Sequence, residues 1–157
     1  MIFTHTMDVP TPPAAVHAYV SDFKNLPRWD PTIKRVDQVT PGPVGTGTRY
    51  VVVLTFLGAE STMDYVVKEF QPPVRAVLTG VASNTVATDT ITIEPTPAGS
   101  RLTWHAEITF TWPTRLLDPL LKLFFARDVA KAMANLEREL SALATRASRT
   151  SAGAGSG

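Results

Sequence analysis

The sequence has no cysteine among its 157 residues. Disulfide scaffolds, thiolate metal sites and cysteine nucleophiles are excluded together. Charge of one sign is also missing: 15 Lys and Arg stand against 14 Asp and Glu, a net charge of +1. The basic footprint of a nucleic-acid binder and the acidic bias of a disordered chain are both absent. Histidine is scarce. His5, His17 and His105 are too scattered for an HExxH or HxH zinc pattern, so neither a metal nor a cofactor is expected. Long apolar runs are lacking too. Leu116 to Ala126 is the most apolar stretch, and Asp118, Pro119 and Lys122 interrupt it. It falls short of the roughly 18 apolar residues a spanning helix needs. The N-terminal residues have no basic region followed by an apolar core, so no signal peptide is read there. A cytoplasmic protein without stable membrane insertion is the expectation. Gly42, Gly45 and Gly47 are not followed by Gly-Lys-Ser/Thr, and turn geometry accounts for them better than a phosphate loop.

What is present is a 44% hydrophobic composition with 13 prolines. That composition fits one globular domain with many element boundaries. In residues 2–9, Phe3, Met7 and Val9 share one parity, as in a strand. Thr11-Pro12-Pro13 then suits a helix start, with Thr11 as cap and proline in the first turn. Val16, Tyr19, Val20 and Phe23 follow at helical spacing. Ser21-Asp22 opens a second short helix that stops near Pro27 and Pro31. From Ile33 to Thr111 threonine and valine dominate, and turn signals divide the segment into six strands. From Pro119 to Leu143, Leu120, Leu121, Phe124, Val129, Met133, Leu136, Leu140 and Leu143 form one apolar stripe. Such a helix is about 38 Å long at 1.5 Å per residue and must lie across the sheet. The order β-α-α-β6-α implies an α+β fold with a seven-stranded antiparallel sheet curled around the last helix. The folded part is 1–146, and the Gly/Ser-rich segment 147–157 reads as a disordered tail.

Four segments resemble the START/Bet v 1-like (SRPBCC) superfamily, and most closely its polyketide cyclase/dehydrase-like members. The first is Val9-Pro10-Thr11-Pro12-Pro13-Ala14-Ala15-Val16, which leads from strand to helix. The second, Tyr19 to Pro31, carries Trp29. The third is the glycine turn Val44-Gly45-Thr46-Gly47-Thr48-Arg49-Tyr50. The fourth is the last hairpin, Thr96 to Trp104. The resemblance implies a helix-grip fold. It also implies a cavity between sheet and C-terminal helix for a hydrophobic or amphipathic small molecule such as a lipid, isoprenoid or polyketide. It supplies no catalytic motif.

Strand parity gives the inner face. Leu102, Trp104, Ala106, Ile108 and Phe110 share it, as do Met63, Tyr65 and Val67, and Tyr50, Val52, Leu54 and Phe56. Ile91 and Ile93 point inward, and Asp89 has their parity. The candidate ligand-binding residues are Trp29, Tyr50, Phe56, Met63, Tyr65, Asp89, Trp104, Ile108 and Phe124. Asp89 is the candidate catalytic residue. On an apolar face its pKa would rise, fitting it for acid–base work; at the rim it would be hydrated or paired. Tyr50 and Tyr65 either bond a ligand or pack as core aromatics. His5 has inward parity and is expected to be partly buried, and His105 faces outward. His17 receives no role.

Leu116 to Phe125 is more apolar than one buried helix face requires. A cavity entrance, a homodimer contact, a membrane contact or the loop from Thr111 to Arg115 would cover it. Three functions compete. A binding protein needs a continuous apolar cavity. A cyclase- or dehydratase-type enzyme needs two or more polar groups converging inside it. A protein-interaction module needs a filled core and an exposed patch. The single convincing polar candidate, Asp89, favours binding.

Overall fold

The computed structural model describes residues 1–112, 116 and 118–153. Strand β1 (Ile2–Val9) leads into helix α1 (Pro13–Val20) and a 3₁₀ helix (Phe23–Arg28). Six strands follow: β2 (Ile33–Gln38), β3 (Arg49–Phe56), β4 (Ala59–Gln71), β5 (Arg75–Ala82), β6 (Thr85–Thr96) and β7 (Gly99–Phe110). Helix α2 (Asp118–Gly153) closes the chain. The strands form one sheet of seven in the order β1-β7-β6-β5-β4-β3-β2, and every neighbouring pair is antiparallel. This is the α+β helix-grip architecture expected from the sequence.

Local chemistry explains the boundaries. Leu57 and Gly58 both have positive φ, which matches a two-residue hairpin between β3 and β4. Register shifts between Ile33 and Arg35 and between Val67 and Glu69 bend their strands, as extra residues in a ladder do. Asp22 caps the 3₁₀ helix by accepting from the Lys24 N–H at 3.1 Å.

Two expectations for the helices are corrected. Thr11 does not cap α1, whose N-cap is Pro12. Thr11 is buried instead, and its hydroxyl donates to the Leu140 carbonyl, tying the start of α1 to α2. The part of the tail from 147 to 153, read as disordered, continues α2. This segment is exposed, and its hydroxyls bond carbonyls one turn back, Ser148 to Ala144 and Ser151 to Ala147. Residues 154–157 lie outside the described residues.

His17, given no role from the sequence, is buried. Its Nε2 lies 2.9 Å from the Arg75 carbonyl, linking α1 to β5. His105 faces outward as expected, between Thr4 and Glu107 on the exposed side.

Candidate functional site

The space between sheet and α2 is filled at one end and hollow at the other. Ile91, Ile93 and Leu102 from the sheet meet Leu136 and Leu140 from α2 at the filled end, all essentially inaccessible. Towards the N-terminal half of α2 the sheet presents smaller residues, Ala82, Ala87 and Ala106, beside Leu54 and Ile108. Side chains of that size cannot span the gap to Leu121, Val129 and Ala132 on the helix. The result is a cavity of about 520 Å³ with a mainly apolar lining. That volume lies within the roughly 300–1,000 Å³ of small-molecule sites.

The polar end is built around Asp89. Asp89 on β6 pairs with Ala106 on β7, which makes Trp104 its diagonal neighbour. The Trp104 indole N–H donates to the Asp89 carboxylate at 2.9 Å. Tyr65 reaches the same carboxylate from β4, two strands away. Its partner on β5 is Gly80, and a Cβ there would lie 2.4 Å from the Tyr65 ring. The glycine therefore lets the ring lie across β5, and the hydroxyl favours the charged form of Asp89. Burial dominates nevertheless and pushes the Asp89 pKa up to about 6. Burial also raises Tyr65 well above the ordinary phenol range, and the Asp89 charge adds to it.

Two further carboxylates line the cavity. Asp30 is raised by burial, partly offset by the Thr32 N–H at 2.9 Å and hydroxyl at 2.7 Å, while the Asp128 charge adds to the rise. Asp128 projects from α2. Trp29, beside Asp30, meets Trp104 edge to face at 5.3 Å, and Asn135 of α2 donates to its carbonyl at 2.9 Å. Among the described residues no group of three or more His, Cys, Asp or Glu is placed to hold a metal ion.

Of the residues expected in the site, Trp29, Phe56, Met63, Tyr65, Asp89, Trp104 and Ile108 line this cavity. Two do not. Tyr50 is buried under Phe23, with ring centroids 5.8 Å apart, and its hydroxyl points to Asp22 at 3.4 Å. The 3₁₀ helix covers that end of the sheet, so inward parity there leads to core and not cavity. Phe124 is 43% exposed, and its neighbour Phe125 turns inward in its place. Phe125 stacks on Phe56 at 4.0 Å and approaches Phe3 and Phe110 at 6.5 and 6.1 Å. It thus bridges strands on both sides of the cavity mouth. His5 also lines the cavity but is exposed, which corrects its expected partial burial.

Asp30, Asp128, Phe125 and Leu121 were missed in the sequence. A helical signal existed for two of them. Steps of three or four residues back along Leu140, Leu136, Met133 and Val129 reach Phe125 and Leu121. Beside the mouth, Leu116, Leu120, Leu123 and Phe124 are exposed, as is Trp112. The expected cover by residues 113–115 and the position of Leu117 lie outside the described residues.

The sequence profile of the family described as polyketide cyclase/dehydrase and lipid transport matches residues 1–141. No curated relative matches the chain. Among solved structures, TTHA0849 from Thermus thermophilus superposes with a TM-score of 0.76 at 18% identity, over 91% of this chain and 99% of that one. A START superfamily protein from Mycobacterium smegmatis gives 0.72 at 16%, covering 90% and 98%. Ara h 8.0201 gives 0.66 at 16%, covering 89% and 97%. At these identities the structures establish the fold alone.

Proposed function

The chain belongs to the polyketide cyclase/dehydrase and lipid transport family, and from that premise we propose that it binds an amphipathic small molecule in the cavity between sheet and α2. The cavity itself carries the reading: about 520 Å³ of mainly apolar space with the carboxylates of Asp30, Asp89 and Asp128 in its lining. Burying a ligand's apolar surface there contributes about 25 cal/mol per Å² removed from water. Asp89, Tyr65 and Trp104 orient the polar end. The exposed strip of Leu116, Leu120, Leu123 and Phe124 stands where a ligand would enter, and where a membrane surface or a second copy would touch. No helix of the described residues is long and apolar enough to cross a membrane. We propose a cytoplasmic location.

Native mass spectrometry of gently purified protein, followed by solvent extraction, tests the binding reading. A discrete added mass of a few hundred daltons, released on denaturation, is the expected outcome. Protein that carries no adduct and takes up none from a lipid extract would count against it.

One observation favours a second reading, an enzyme of the cyclase or dehydratase type. A carboxylate with its pKa near 6 and a tyrosine beside it is suited to take and return a proton near neutral pH. Asp89→Asn would then abolish turnover of a bound compound while the compound still binds. Unchanged turnover would remove this reading.

A further inference from the structure

We propose that the polar end of the cavity selects a cation, so that the ligand is an apolar molecule bearing a protonated amine and not a fatty acid, a phosphate or another anion. The inference rests on the cavity being a ligand site, as argued above, and specifies the ligand's charge.

The lining is one-signed. Asp30, Asp89 and Asp128 face the cavity, and among the described residues no Lys or Arg does; His5 is the one lining side chain that can become cationic. Elsewhere the protein pairs acids with cations: Asp8 with Arg101 at 2.8 Å, Glu69 with Arg75 at 3.1 Å and Glu60 with Lys34 at 3.1 Å. The cavity carboxylates have no such partner among the described residues. Asp128 raises the pKa of Asp30, and Asp30 that of Asp89. A cation among them would relieve this repulsion, and an anion would add to it.

Hydrogen-bond donors give a second, independent argument. An anion needs donors, and those that face the carboxylates of Asp30 and Asp89 are already engaged; the Thr55 hydroxyl, buried in the lining without a partner, is a single neutral donor that cannot by itself hold an anion. The Trp104 indole N–H is given to Asp89, and the N–H and hydroxyl of Thr32 are given to Asp30. The Tyr65 hydroxyl is also turned to Asp89. Carboxylates keep spare lone pairs after two such bonds, so acceptors remain for an ammonium group. The aromatic walls agree. Trp29, Trp104 and Tyr65 enclose this end, and indole and phenol faces attract cations. The net charge of +1 gives the protein no general attraction for amines, so a preference would arise locally.

The test is a matched set of twelve-carbon probes, dodecylamine, dodecanol and dodecanoate, each below its micelle concentration. Displacement of Nile red, a neutral dye, is followed at pH 7.5. We expect the amine to bind at least tenfold tighter than the carboxylate and tighter than the alcohol. Asp128→Asn, which removes no hydrogen bond seen among the described residues, should bring the amine's affinity down towards the alcohol's. Asp30→Asn should do the same. At pH 5 protonation of Asp89 should shrink the amine's advantage over the alcohol, neither of which changes charge between the two pH values; Tyr65, Trp104, Asp30, Asp128 and His5 are the titratable or polar groups around that cavity end. If dye and probes bind but the amine has no advantage, or the carboxylate wins, charge selection is wrong while the binding reading stands. If neither dye nor any probe binds, both fall together.

Discussion

At the scale of single residues, Asp89 carries a conflict between stability and chemistry. Its pKa is raised from 3.8 to about 6 by burial. The folded state therefore binds the proton more tightly than the unfolded chain. The sign follows from linkage: stability associated with this group is full below the unfolded pKa and is lost as pH rises through about 6. A shift of that size corresponds to at most about 3 kcal/mol. Asp89→Asn should thus be more stable than the native protein at pH 7.5, by up to about 3 kcal/mol, with the gap closing near pH 4. Urea unfolding at both pH values measures this; an equal gap at both would show that Asp89 is not held in this way. Gly80 is the other telling residue. Gly80→Ala places a methyl 2.4 Å from the Tyr65 ring, which must move away. Overpacking of this kind costs about 1–3 kcal/mol. The Tyr65 hydroxyl would also leave Asp89, and the Asp89 pKa, followed by carbon NMR of its carboxyl, should rise further. Asp89 was legible because strand alternation placed it with Ile91 and Ile93. Gly80 was not, because a glycine's partner across a sheet is fixed by register, which one sequence does not display.

At the scale of elements, strands were read more securely than the helix ends. Alternation in β7 placed Trp104 and Ile108 in the cavity, since a period of two leaves only two faces. The stripe on α2 admitted a rotation, because at 100° per residue Phe124 and Phe125 sit on adjacent headings of an unusually apolar helix. Its phase is set by Leu136 and Leu140 in the filled core, and that phase turns Phe125 inward. Tyr50 failed for a different reason: its strand parity was right, but the 3₁₀ helix lies over it. The role of Phe125 gives a prediction for the element. Phe125→Ala removes the contact between α2 and Phe56, Phe3 and Phe110 at the mouth. We expect a loss of about 1–3 kcal/mol, since the site is only partly buried. Stopped-flow dye exchange should become several-fold faster. Unchanged exchange would mean that ligands pass elsewhere.

At the scale of the whole molecule, the order of elements made the fold legible, because successive hairpins leave few ways to arrange seven strands and one long amphipathic helix. The cavity was legible only as an implication of resemblance. Its volume follows from which inner positions carry alanine and from where the helix rests, and these are properties of the assembled sheet. The two carboxylates contributed from outside the strands, Asp30 and Asp128, meet Asp89 only in three dimensions.

On the proposed function, ligands occupy this cavity and not the exposed strip of Leu116, Leu120, Leu123 and Phe124. Ile108→Trp tests it most directly by filling the cavity from β7 while leaving that strip untouched. The measurement is a Nile red titration of native and variant protein, with circular dichroism to check that both are folded. We expect one dye per native chain and little or none on the folded variant. Equal binding by both would contradict the claim and move the binding site to the surface.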